Sequence, residues 1–141
     1  MKEMLKVLGG IIVIGIMTMF ATQFFTKNNT DMFSYVADLV NPFVQVENVY
    51  GKLPKKPIES WKDAANDKMD YGYNVQTISK SGEKRTVQLT SFGSKLKVDD
   101  SLLKISIKGQ YVKKYEVIHQ ENIPKSVLKK LKGNCERKNC E

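Results

Sequence analysis

The sequence predicts a mainly β protein: a small five-stranded OB-like barrel with a C-terminal helix, preceded by an N-terminal transmembrane or signal helix. Three observations carry this expectation. Residues 7–25 read VLGGIIVIGIMTMFATQFF, without a charge. Between Phe43 and His119 apolar residues alternate with polar ones in short runs, the period of a strand. From Pro124 onward the apolar spacing is that of a helix.

The leader comes first. Twenty residues separate Lys6 from Lys27, and a helix of about 20 residues crosses a hydrocarbon core of about 30 Å. Lys2 and Lys6 supply a basic start, yet the apolar run is longer than the roughly 7–15 residues of a signal-peptide core. Met19 stands two positions before Ala21, the best cleavage residue, where a small side chain is needed. The first expectation is therefore an uncleaved signal anchor over residues 1–27, and the second a cleaved secretory signal. Both place the rest of the chain outside the cytoplasm, as a single-pass protein of the cell membrane or as a secreted one. Lys2 and Lys6 against Glu3 give a slight positive-inside bias. Gly10 and Gly15 miss the small-xxx-small spacing of helix dimers.

About 115 residues remain after the leader, enough for one domain with one core. The chain carries a formal charge of +8, and the leader holds only Lys2, Lys6 and Glu3, which leaves +7 outside it. Such a balance favours anionic partners. Expected partners are the lipid bilayer through the N-terminal helix, and an anionic cell-wall polymer or a membrane protein. The plain alternative is a lysine-rich solvated surface. Cys135 and Cys140 sit close together in the tail, residues 133–141. An extracellular setting lets them pair, with little gain in stability from so short a loop, and two free thiols are the other reading.

Residues 28–42 form a spacer. Met32, Phe33, Val36, Leu39 and Val40 recur at helical spacing, with Asp31 or Thr30 as the cap. The apolar face of this short helix rests on the bilayer or on the domain. Asn41-Pro42 ends it. The barrel is expected over residues 43–132. Its first strand is 43–50, followed by a long connection over 52–69 that holds Pro54, Pro57 and Trp61. The second strand, 71–79, places Tyr71, Tyr73, Val75 and Thr77 on one face. Lys80-Ser81-Gly82-Glu83 turns the chain into the third strand, 84–92, with Gly82 available for positive φ. The fourth, 102–108, points Leu103, Ile105 and Ile107 inward, and Lys108-Gly109-Gln110 turns into the fifth, 111–119. A helix over 124–132 follows, with Val127, Leu128 and Leu131 on its apolar face and Gly133 as its stop. Five strands are too few for a sandwich, whereas a barrel hides its own edges. The helix is expected to plug or flank one end.

The linear order of these features resembles the YxeA family of small secreted or membrane-anchored proteins of Gram-positive bacteria. The residues that carry the likeness are Asn41-Pro42-Phe43, Tyr50, Tyr71 and Tyr73, the Ser81-Gly82-Glu83-Lys84 turn, Tyr115-Glu116-Val117, Ile123-Pro124-Lys125 and Leu128-Lys129-Lys130-Leu131. The likeness spans residues 41–131. It implies an OB-like barrel and brings no catalytic residues. It also implies gene neighbourhoods near peptide exporters, hence an alternative role as an accessory or immunity protein of a peptide-antibiotic exporter. The spacer, the loop over 54–69 and the tail depart from the usual pattern.

The search for chemistry yields no enzyme. The chain has one histidine, His119, at a strand end. No G-x-S-x-G elbow, phosphate loop or metal-ligand cluster is present, so no cofactor and no metal are expected. Asp99-Asp100 reads as a solvated turn. Recognition remains. OB folds bind on the face of their second and third strands and on the loops beside it. In this chain those parts offer Trp61, Tyr71 and Tyr73 as stacking surfaces and Lys55, Lys56, Lys84 and Arg85 as cations. Tyr71 and Tyr73 also fit the barrel interior by their alternation. The expected function is a membrane-tethered extracytoplasmic binding or accessory module. A single-stranded nucleic-acid binder would use the same fold and charge, but it conflicts with the anchor.

Overall fold

The computed structural model describes residues 2–97 and 101–137, with side chains up to Leu131. Asp99, Asp100 and Cys140, together with the side chain of Cys135, lie outside the described residues. Helix α1 runs Lys2–Phe25 and α2 runs Met32–Val40. Six strands follow: β1 (Val46–Lys52), β2 (Glu59–Lys62), β3 (Met69–Ser79), β4 (Lys84–Ser91), β5 (Leu102–Lys108) and β6 (Tyr111–Ile118). Helix α3, Lys125–Arg137, closes the described chain.

The α1 helix is uninterrupted, and its Thr18 and Thr22 hydroxyls donate back to Ile14 O and Met19 O, each at 2.8 Å. It has a mean hydropathy of 2.1 and is long and apolar enough to cross a membrane; none of that apolar stretch is buried within the protein. The α2 helix starts where expected. Asp31 caps it by accepting from Ser34 N at 2.7 Å, which holds the Asp31 carboxyl below the usual carboxylate range. It ends at Asn41, before Pro42.

All strand pairings are antiparallel, and the protein is mainly β as the sequence predicts. The order is β2-β3-β1-β5-β6, with β4 on the other side of β3. The sheet has six strands where five were expected. The additional strand is β2, inside the supposed connection, where Glu59 to Lys62 pair with Gly72 to Met69. Its apolar content does not alternate, so only the partner strand reveals it. Trp61 is consequently a strand residue and not a loop residue. The barrel is not closed: β4 and β6 approach each other, but no ladder joins them among the described residues. A register shift at Ser106/Ile107 and exposed Lys113, Lys114 and Glu116 on β6 keep that edge unpaired.

The inner face of the sheet carries the main core, with Val49, Tyr73, Val75, Val87, Leu89, Leu103, Ile105 and Ile107 all essentially inaccessible. Burying each such aliphatic side chain contributes about 1.5–3 kcal/mol. Tyr50 and Ile78 point the opposite way and meet Ile123 and Val127 of the C-terminal segment. Helix α3 therefore covers the outer face of β1 and β3 and does not plug an end. It also runs through Gly133, where the sequence predicts a stop; an interior glycine costs a helix only about 1 kcal/mol.

Candidate anion-binding cleft beside the N-terminal helix

Two hairpin turns reach the C-terminal end of α1. In one, Gly82 (φ +89°) lets Glu83 fold back so that Ser79 N donates to Glu83 O at 2.9 Å. Glu83 then accepts an ion pair from Lys27 at 2.7 Å, and Arg85 stands 3.6 Å from the same carboxylate. The hydrogen bond from Lys27 holds the Glu83 carboxyl below its usual range. One residue on, Asn28 adopts φ 64°, which asparagine tolerates well, and its Oδ1 accepts from Thr86 N at 3.0 Å.

These contacts frame a cleft of about 250 Å³ lined by Asn28, Gln76, Thr77, Lys84, Arg85 and Thr86. Among the described residues the lining brings two cations, two side-chain amides and two hydroxyls, and the Glu83 carboxylate stands beside it, 3.6 Å from Arg85. Such a set holds an anion by charge and by hydrogen bonds donated from the amides and from the Thr86 hydroxyl. Thr77 Oγ1 donates to Arg85 O at 2.8 Å, which fixes the strand carrying the guanidinium.

In the second turn, Gly109 (φ +61°) presents its backbone against the Asp38 carboxylate, where a Cβ would collide. Asp38 accepts from Thr26 Oγ1 at 2.8 Å and from Gln110 N at 2.6 Å. Gln110 Nε2 donates to Thr26 O at 3.1 Å, and Lys108 Nζ donates to Leu39 O at 2.6 Å. Tyr35 of α2 meets Tyr111 edge-on at 4.9 Å, and burial, then Tyr111, raises the Tyr35 phenol. The turn over residues 108–110 is thus occupied by the spacer helix.

The residues singled out from sequence do not form one site. Lys84 and Arg85 pair with Ile78 and Thr77, whereas Tyr71 pairs with Ser91 at the other end of β3. Seven strand residues, about 23 Å, separate those ends. Trp61 lies opposite Asp70 and Tyr71 opposite Ser60, so the two rings occupy opposite faces of the sheet. Tyr71 packs on the inner core, and Lys95 Nζ stands 5.5 Å from its ring. Tyr73 is 1% exposed and its hydroxyl accepts from Leu96 N at 3.1 Å, which makes it a core residue. Lys55 and Lys56 are exposed between β1 and β2, away from the cleft. His119 caps a short turn without a side-chain hydrogen bond. No metal-ligating cluster occurs among the described residues. Sequence reasoning missed Asn28, Gln76, Thr77 and Thr86 as lining. The Asn28–Thr86 bond joins residues 58 apart, so no local signal announces it.

Comparison with known proteins gives consistent matches. A family model described as "Protein of unknown function (DUF1093)" matches residues 42–121. The uncharacterized protein YxeA of Bacillus subtilis is 33% identical over 97 residues, which cover 69% of this chain and 77% of that protein. A crystal structure of a DUF1093 family protein from Bacillus subtilis aligns with TM-score 0.52 and 27% identity, over 64% of this chain and 95% of the other. A weaker likeness, TM-score 0.46 and 17% identity, links 60% of this chain to 84% of a membrane associated protein from Bacillus cereus.

Proposed function

The chain belongs to the DUF1093, or YxeA, family, and on that premise we propose that it is a membrane-tethered, extracytoplasmic accessory module that binds an anionic envelope component. The observation that carries the reading is the composition of the cleft: among the described residues, Lys84 and Arg85 line it beside amides and hydroxyls. The apolar α1 helix supports the tether, and the positive balance of the chain favours a polyanion. Asn28, which lines the cleft, follows the end of α1 by three residues, and that short distance supports a site close to the membrane surface.

The test uses the full chain in nanodiscs of zwitterionic lipid, titrated with a soluble glycerol-phosphate polymer. Binding that weakens with salt and is lost in Lys84→Glu/Arg85→Glu supports the reading. Equal binding by the double variant, or none by the unaltered chain, overturns it. Protease added to intact cells checks the compartment: the domain should be digested without lysis.

A further inference from the structure

The α2 helix is amphipathic in the reverse sense to a helix on a soluble domain. Ser34 and Asp38, one turn apart, are each 1% exposed and face the barrel. Met32 and Phe33 are 77% and 73% exposed, and Val36 and Val40 also point outward. A helix on a water-soluble core turns its apolar stripe inward. Here the inward side is occupied by the Asp38 bonds to Thr26 and Gln110 and by the Lys108 bond to Leu39 O. The helix cannot roll to bury Phe33 without breaking them.

The exposed apolar surface continues onto α1. Phe43 meets Phe20 edge-on at 6.2 Å, and Phe20 meets Phe24 at 6.2 Å. Asn41 Nδ2 donates to Met19 O at 2.6 Å and to Thr22 Oγ1 at 2.9 Å. These bonds lock the end of α2 beside residues 19–22, and Met19 precedes the end of α1 by six residues, about 9 Å of helix. Whatever covers the last turns of α1 must also meet the outer face of α2. Contiguous apolar surface of this kind is not left to water.

We propose that residues 32–43 form a lipid-embedded collar. The α2 helix lies in the headgroup–acyl boundary of the bilayer that receives α1, with Met32, Phe33, Val36 and Val40 toward the lipid and Asp38 sealing the Gly109 turn. Interfacial helices of this type bury their apolar face about 5–10 Å into that boundary. Lipid is the occupant because the surface is continuous with α1; a second copy docked on α2 alone would leave the α1 run uncovered. The proposal rests on the membrane-tether reading of α1 and is independent of what fills the cleft. It holds the barrel against the membrane surface, with no free stalk between anchor and domain.

The test places single tryptophans in the full chain, in a Trp61→Phe background that removes the lone native one, reconstituted in zwitterionic vesicles with brominated acyl chains. Phe33→Trp and Val36→Trp should emit at shorter wavelength and lose emission most strongly to shallow bromines. Ile12→Trp should respond more to deep bromines, and Val117→Trp, on the exposed β6 edge, to neither. If positions 33 and 36 behave like 117 while 12 is quenched, the collar is overturned and the tether stands. A blue shift at 33 and 36 that grows with protein concentration, without quenching, assigns the face to a second copy and also overturns the collar. An unquenched Ile12→Trp overturns the tether and the collar together.

Discussion

The interior of the sheet and the seam between the N-terminal helices and the sheet bury opposite kinds of side chain. Inside the barrel, strand alternation turns Val75, Val87, Leu89 and Ile105 inward and leaves charges outside. At the seam, Thr26, Ser34, Asp38, Asn41 and Gln110 are buried while Met32, Phe33 and Val36 face out. Each arrangement suits its surroundings. The first is held by the apolar effect against water. The second is held by directed hydrogen bonds, which gain strength where water is scarce. The same chain therefore uses two kinds of cohesion within a few residues of each other.

Breaking the barrel should have the largest effect. Leu89→Ala removes a fully inaccessible side chain and should lower unfolding stability by about 2–5 kcal/mol, read by urea denaturation in detergent. The seam should respond more weakly and locally. Asp38→Ala leaves the buried Gln110 amide and the Thr26 hydroxyl without their acceptor, a penalty of about 1–3 kcal/mol. Hydrogen exchange at Gln110 should accelerate while that at Val75 stays slow; equal acceleration at both would erase the contrast. Asn41→Ala should cost about 1 kcal/mol and speed exchange of the Phe43 amide, which donates to Asn41 Oδ1 at 2.9 Å.

The smallest effect concerns pH. Glu83 has a folded pKa lowered from 4.5 chiefly by the hydrogen bond from Lys27. A carboxylate depressed in this way stabilises the fold above its unfolded pKa. That contribution fades as pH falls through the folded value. Acidification to well below pH 4.5 should therefore loosen the Lys27–Glu83 contact by less than about 1 kcal/mol, since both partners are substantially exposed. Glu83→Gln should remove this acid dependence, observed as a flattened pH profile of Asn28 and Thr86 amide exchange.

Much of the fold was legible wherever the signal was local. The α1 run, a cap at Asp31 or Thr30, the β3–β4 hairpin with Gly82 and the alternation of β5 each depend on neighbours in sequence. What escaped depends on distant partners. The β2 strand owes its existence to the first residues of β3, and the failure of β4 and β6 to join depends on a bulge and charged edge positions. The facing of α2 could not be settled from its own apolar spacing, because Asp38 is recruited inward by Gln110, 72 residues later. The site was the least legible part. Lys84 and Arg85 reach the cleft, but the aromatic residues grouped with them are split between the far end of the hairpin and the core.

The Asp38–Gln110 bond also sets an order of events during synthesis. Thr26 and Asp38 leave the ribosome 84 and 72 residues ahead of Gln110, the residue that bonds to both. At about 5–20 residues per second the shorter gap is roughly 4–14 s. The first-made segment is thus completed by one of the last-made hairpins, and a nascent chain halted before Gly109 carries a leader whose polar flank is still waiting for its counterpart.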